Sequence, residues 1–155
     1  MVRVVLDTNV FVSALLIPDS PPARILEMIL TGIVELVMSP GIIQEVAAVF
    51  TYDKVKKSLQ KHGVTDEDVA EAFFNLLKIA TITPGSKITP GASADPADDM
   101  VLACALEAQA EVIISGDKDL LQLASYEGVN IVSPATFIQK FTGKSSSKGP
   151  GPYTP

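Results

Sequence analysis

With 155 residues, 47% of them hydrophobic, and a slightly positive mean hydropathy, the chain can bury one compact core, so a single domain is expected. The 18 acidic and 12 basic residues give a formal charge of −6, which argues against binding to nucleic acid by bulk electrostatics, since that affinity comes from Lys and Arg displacing counterions from phosphates. No apolar run nears the ~20 residues that cross a bilayer, the first residues lack a secretion-type pattern, and the lone Cys104 allows no internal disulfide, so a cytoplasmic protein with one buried structural thiol is expected.

Val2 to Leu6 is an apolar, β-branched run without strict alternation, the pattern of a strand covered on both faces in a parallel sheet. It ends at Asp7, and an apolar helical stretch through Val10, Phe11, Ala14 and Leu15 follows. After the Pro18 to Pro22 break, Ala23 to Leu30 reads as a helix ended by Gly32, and Val34 to Met38 as a second strand. Ser39-Pro40 supplies a capping hydroxyl and a first-turn proline for a helix whose core stripe is Ile42, Ile43, Val46, Val49 and Phe50. At about 100° per residue, Glu45 falls at the border of that stripe.

Tyr52 to His62 is a polar helix carrying Lys54, Lys56, Lys57 and Lys61. Thr65 to Ala80 is an amphipathic helix opened by the capping-box pattern Thr65-Asp66-Glu67-Asp68. Ala80 to Thr83 can add a strand, and the Pro- and Gly-containing stretch from Thr83 to Ala94 reads as a loop. Asp95-Pro96 repeats the cap-then-proline grammar before a helix from Met100 to Ala110 with Val101, Leu102, Ala105 and Leu106 on one side. Helical pitch puts Asp98 at the centre of that stripe and Asp99 roughly a right angle away. Glu111 to Ser115 is a further apolar strand, running into Gly116-Asp117-Lys118-Asp119; Asn130 to Ser133 and Pro134 to Phe141 read as a last strand and helix. The alternation predicts a mainly parallel sheet with helices on both faces over residues 1–141, followed by a Gly-, Ser- and Pro-rich tail over 142–155 that cannot bury a core.

Two acids thus end apolar strands, Asp7 and Asp117, and two sit near helix starts, Glu45 and Asp98. In a right-handed parallel sheet, strand C-termini and the following helix N-termini share one edge, so all four can converge there. Crowded carboxylates repel and raise one another's pKa unless a counterion offsets them. The sequence offers no obvious interior Lys or Arg for that role, whereas an oxygen-rich site suits Mg²⁺ or Mn²⁺. A cation so held activates water and stabilises displacement at phosphorus, and its charge meets phosphate despite the acidic chain. His62 stands alone on a polar helix and no Gly-rich loop follows the first strand, which leaves covalent hydrolase and nucleotide-cofactor chemistry unsupported.

Asp7-Thr8-Asn9, Glu45 within Ser39-Pro40-x-x-x-Gln44-Glu45-Val46, the run Asp98 to Ala105, and Ser115-Gly116-Asp117-Lys118-Asp119-Leu120-Leu121 together resemble the PIN-domain ribonucleases. The likeness is strongest to prokaryotic toxin components of toxin–antitoxin systems related to the VapC group, and runs from about Val2 to Phe141 in the family's motif order. It implies a three-layer α/β/α fold, a Mg²⁺ or Mn²⁺ site, endonucleolytic cleavage of RNA, frequent homodimers, and often an antitoxin protein that blocks the site. Ser115 departs from the family's more frequent Thr but keeps a hydroxyl.

On this reading Asp7, Glu45, Asp98 and Asp117 are the catalytic metal ligands and Asp119 an extra one. Asn9 either braces the turn that orients Asp7 or ligates metal, and Ser115 supports. Lys118, Lys54 and Lys57 are the RNA-binding candidates, against the plainer reading of the lysine-rich helix as a solvated face. Asp98 also has a plainer role, because an acid at the third helical position stabilises any helix start. The rivals are a non-catalytic RNA- or protein-binding module on the same scaffold, a housekeeping RNA-processing nuclease, and a phosphatase of the haloacid dehalogenase type. The last wants a second aspartate two residues after the first, where Asn9 stands.

Overall fold

The computed structural model describes residues 1–87 and 95–143. The expected loop to Ala94 and the expected tail therefore fall partly outside the described residues. Strands β1 (Val2–Leu6), β2 (Val34–Met38), β3 (Thr81–Ile82), β4 (Val112–Ile114), β5 (Ser125–Tyr126) and β6 (Val129–Val132) form one sheet in the order β3-β2-β1-β4-β6-β5. Every pairing is parallel except that of β5 with β6. Eight α-helices accompany them: α1 (Thr8–Leu16), α2 (Pro21–Leu30), α3 (Pro40–Val49), α4 (Asp53–Lys61), α5 (Asp66–Ile79), α6 (Pro96–Ala108), α7 (Lys118–Leu123) and α8 (Pro134–Ile138). The architecture is the three-layer α/β/α sandwich.

The apolar strands earn their central places by burial on both faces. Val4, Val5 and Leu6 of β1 and all of β4 are almost wholly enclosed, so shortening any of these side chains to Ala would cost on the order of 2–5 kcal/mol. Val4 sits opposite both Leu36 and Val112, which makes β1 the middle of the sheet and delivers Asp7 to the middle of its C-terminal edge. There the ladders continue one residue past the strands: the Asp7 N–H donates to the Ile114 carbonyl at 3.0 Å and the Ser115 N–H to the Val132 carbonyl at 3.0 Å. The edge is pinned by main chain, not by side chains alone.

α6 lies across β1, β2 and β4, and Val101 to Ala105 are buried on every side of it, as its short Ala and Cys side chains permit. Its end is turned by Gln109 in the left-handed region at φ 55°, where Ala108 also gives its carbonyl to Arg3 Nη1 at 2.6 Å. The capping box at Thr65 and Asp68 forms with both bonds at 3.0 Å. α2 begins at Pro21 under a Ser20 cap, two residues before the expected Ala23. Strand β5 was not expected. It is two residues long and depends on the Glu127-Gly128 turn, both at positive φ, to fold back on β6.

Candidate metal centre

β1, α6 and β4 bring three of the four expected carboxylates together. One oxygen from each of Asp7, Asp98 and Asp117 lies within 4.8 Å of the other two. Asp7 leaves the end of β1 and also caps α1, accepting from the Thr8 N–H at 2.8 Å. Asp117 follows β4 and caps α7, accepting from the Asp119 N–H at 3.0 Å. Asp98 sits in the first turn of α6, which Asp95 caps by accepting from the Ala97 N–H at 2.9 Å. Three helix N-termini therefore face the cluster, and their dipoles partly offset its charge.

Ser115 ties two of the acids to each other. Its fully buried hydroxyl donates to Asp7 Oδ2 at 2.7 Å and accepts from the Asp117 N–H at 2.9 Å. Asn9, expected as a possible brace, is exposed in the first turn of α1 and makes no side-chain hydrogen bond to Asp7 among the described residues. Thr8 N–H and Ser115 hold that carboxylate instead.

The electrostatics are those of a site short of positive charge. Burial pushes the Asp7 carboxyl above its ordinary value, with the Ser115 and Thr8 hydrogen bonds acting the other way and the charges of Asp117 and Asp95 adding to the rise. Asp98 is 3% exposed and pushed up to about 7, first by burial, then by its hydrogen bond with Asp117 and by the charges of Asp117, Asp7 and Asp95. Asp98 Oδ2 is buried with no hydrogen-bond partner. Among the described residues no Lys or Arg is ion-paired with any of the three; the ion pair that occurs, Arg3 with Glu35 at 3.3 Å, lies at the start of β1 and β2, the far edge of the sheet. Three carboxylates, one orphaned buried oxygen and no cationic side chain make a hard, anionic oxygen site, the donor set that suits Mg²⁺ or Mn²⁺.

Glu45 and Asp119 stand outside this group of three. Glu45 is half-buried on α3, five residues past Pro40 and more than one helical turn beyond that helix's start. Asp119 is exposed on α7, and its N–H donates to Asp117 Oδ1. Lys118, Lys54 and Lys57 are exposed, the first beside Asp117 and the others on α4. Two acids had drawn less notice from the sequence. Asp95 was assigned only a capping role, yet its charge acts on both Asp7 and Asp98. Glu107, on the same helix as Asp98, was not singled out, because its partners come from a loop with no motif.

The comparisons agree with this geometry. A family model described as PIN domain matches residues 3–119, which spans the strand-end acids, Glu45 and Asp98. An uncharacterized protein of Methanocaldococcus jannaschii, MJ1680, is 31% identical over 148 residues, covering 90% of this chain and 92% of the relative. PIN domains are in general metal-dependent nucleases that act on RNA, and no described helix here is long and apolar enough to cross a membrane. With the fold, the acidic edge and the matched span in accord, the chain belongs to the PIN domain family.

Proposed function

We propose that the protein is a divalent-metal-dependent endoribonuclease that hydrolyses phosphodiester bonds of RNA at the Asp7, Asp98 and Asp117 centre. One observation carries the reading: three carboxylates share a site within 4.8 Å, one buried oxygen lacking any partner, and no basic residue answers them among the described residues. A Mg²⁺ or Mn²⁺ ion held there would supply positive charge toward the phosphate and make water a better nucleophile. Asp7, Asp98 and Asp117 hold the ion, and Ser115 fixes the direction of the Asp7 carboxylate and the backbone of Asp117. Glu45 and Asp119 are assigned as the further carboxylates that would serve such an ion. Lys118 steadies phosphate near the centre, while Lys54 and Lys57 hold the RNA backbone.

We further assign the chain to the toxin side of a toxin–antitoxin pair, acting as a homodimer; the motif resemblance supports this. The test is cleavage of end-labelled single-stranded RNA by purified protein with Mn²⁺, with EDTA and with an Asp7→Asn variant. Mn²⁺-dependent products that vanish in the variant are expected. Equal products from both proteins would overturn the assignment, and a metal-independent RNA-binding signal without cleavage would favour the binding-module reading. For the biological role, expression of the chain should arrest growth, and a small protein from the adjacent reading frame should relieve the arrest.

A further inference from the structure

Glu107 lies nine residues beyond Asp98 on α6, about 2.5 turns along the helix. Its carboxylate is filled by one short stretch of chain: it accepts from the N–H groups of Gly85 at 2.9 Å, Ser86 at 2.8 Å and Lys87 at 3.1 Å, and from the Ser86 hydroxyl at 2.7 Å. Successive N–H groups aimed into one concavity form an anion nest. Here the anion is the protein's own side chain. The Ser86 hydroxyl, the neighbouring Thr83 side chain and the amides hold Glu107 down to about 2, so it stays charged under all ordinary conditions. Thr83 Oγ1 itself is buried without an aligned hydrogen bond.

The segment so gripped is wedged against a second helix. It departs from β3 with the Thr83 N–H bonded to the Met38 carbonyl at 2.8 Å. Gly85, at φ +78°, then passes so close to Pro40 that a Cβ there would come within 3.1 Å of the proline Cδ. Pro40 is the first residue of α3, and the next residue, Gly41, abuts α6 itself: a Cβ at Gly41 would meet Met100 Sδ at 2.9 Å. The first turn of α3 is therefore held between Met100, two residues from Asp98, and the segment 83–87 that Glu107 grips.

We propose that Glu107 is a positioning residue for the metal centre: by clamping residues 83–87 it seats the start of α3 against α6 and so fixes Glu45 relative to Asp98. The inference rests on the reading of Asp98 and Glu45 as carboxylates that serve one cation. Glu107 touches neither cation nor RNA and acts only through the strut.

The test uses the full chain and Mn²⁺ alone as probe, with free Mn²⁺ read by electron paramagnetic resonance, melting by calorimetry, and protease cleavage sites mapped by mass. Glu107→Gln keeps the size of the side chain but turns part of its acceptor into a donor facing N–H groups. It is expected to raise the Mn²⁺ Kd about 10-fold, the low end for groups that orient metal ligands, and to open a cleavage site within 83–87. RNA cleavage should recover toward the wild-type rate at saturating Mn²⁺, a Kd effect without a matching kcat effect. Ser86→Ala, which removes one of the four bonds and leaves the charge, should shift the Kd the same way by less, and keeps the proposal testable if Glu107→Gln fails to fold. Glu71→Gln, an exposed acid on α5, should change nothing. A melting temperature lowered in Glu107→Gln or Ser86→Ala with an unchanged Mn²⁺ Kd overturns the strut alone. A wild-type chain that binds no Mn²⁺ overturns the strut and the metal-centre reading together.

Discussion

Asp98 and Glu107 are two acids on one helix, and their surroundings drive them in opposite directions. Asp98, at the N-terminal end among Asp7, Asp117 and Asp95, is pushed up to about 7 and keeps a buried oxygen without a partner. Glu107, near the other end, is held down to about 2 by a hydroxyl and a row of main-chain N–H groups. The second carboxylate is complete as it stands. The first shares a hydrogen bond only with another acid, Asp117, keeps its Oδ2 unpartnered and has no cationic side chain paired with it among the described residues, so a cation from outside would offset its charge. A buried acid that the fold leaves unsatisfied, beside another that it satisfies fully, is the pattern expected where one end of a helix serves a site and the other holds architecture.

The largest expected effect separates the two ends outright. Asp98→Asn keeps shape and removes charge, so Mn²⁺-dependent RNA cleavage should fall by more than ~100-fold, beyond the range for residues that only orient ligands. The metal-free melting temperature should rise, because the substitution relieves repulsion from Asp7 and Asp117. Glu107→Gln should do the reverse, lowering stability more than saturated activity. Cleavage assays and calorimetry on the pair decide it, and an Asp98→Asn protein that melts lower and still cuts would break the comparison.

Next in size is Ser115→Ala. It strips the donor from Asp7 Oδ2 and the acceptor from the Asp117 N–H in a wholly buried position. A 10- to 100-fold loss of metal affinity or activity is expected at roughly the scale of other ligand-orienting groups, with a stability loss on the order of 1–3 kcal/mol for the groups left unpaired. Ser115→Thr keeps the hydroxyl and should retain most of the activity.

The distance between what sequence and structure each reveal follows the same division. The sheet, its parallel sense and the convergence of Asp7, Asp98 and Asp117 were legible, because strand ends and proline-marked helix starts fix an acid's position within a residue or two. Periodicity put Glu45 at the border of its helix face, where the structure has it half-buried, but periodicity gives angle and not depth. Whether Glu45 stands beside the group of three or a helical turn away is therefore not written in the spacing, and in the structure it is not one of the three. β5 escaped notice since two residues carry no pattern and Glu127-Gly128 is a weaker turn signal than Asn-Gly. The Glu107 nest was illegible for a deeper reason: three of its four donors are main-chain N–H groups, which every residue but proline possesses.

The pH dependence of the metal-free protein should carry both signatures. Asp98 has a folded value near 7 against an ordinary 3.8, so between them the folded state holds the extra proton. Stability is then full below about 4 and is lost as pH rises toward 7. Glu107 has a folded value near 2 against 4.5, so its contribution is present above about 4.5 and fades as pH falls toward 2. The metal-free melting temperature should peak in mild acid and decline on both sides. Asp98→Asn should flatten the neutral limb and Glu107→Gln the acid limb, the latter smaller because that carboxylate is solvated. Mn²⁺ should also flatten the neutral limb, since binding displaces the proton.

The smallest effect lies outside both ends of α6. If the acidic centre contributes no affinity for RNA until a cation fills it, the binding must come from exposed lysines such as Lys54 and Lys57 on α4. Each phosphate contact on a single strand adds about 0.7 to the slope of log affinity against log salt. The Lys54→Ala, Lys57→Ala double variant should therefore lower that slope by about 1.4 on the same principle, raise KM and leave kcat unchanged. A fall in kcat instead would mean that α4 reaches the scissile phosphate. The division between a centre that cuts and a face that only holds would then have to be redrawn along α4, while the contrast between Asp98 and Glu107 would stand.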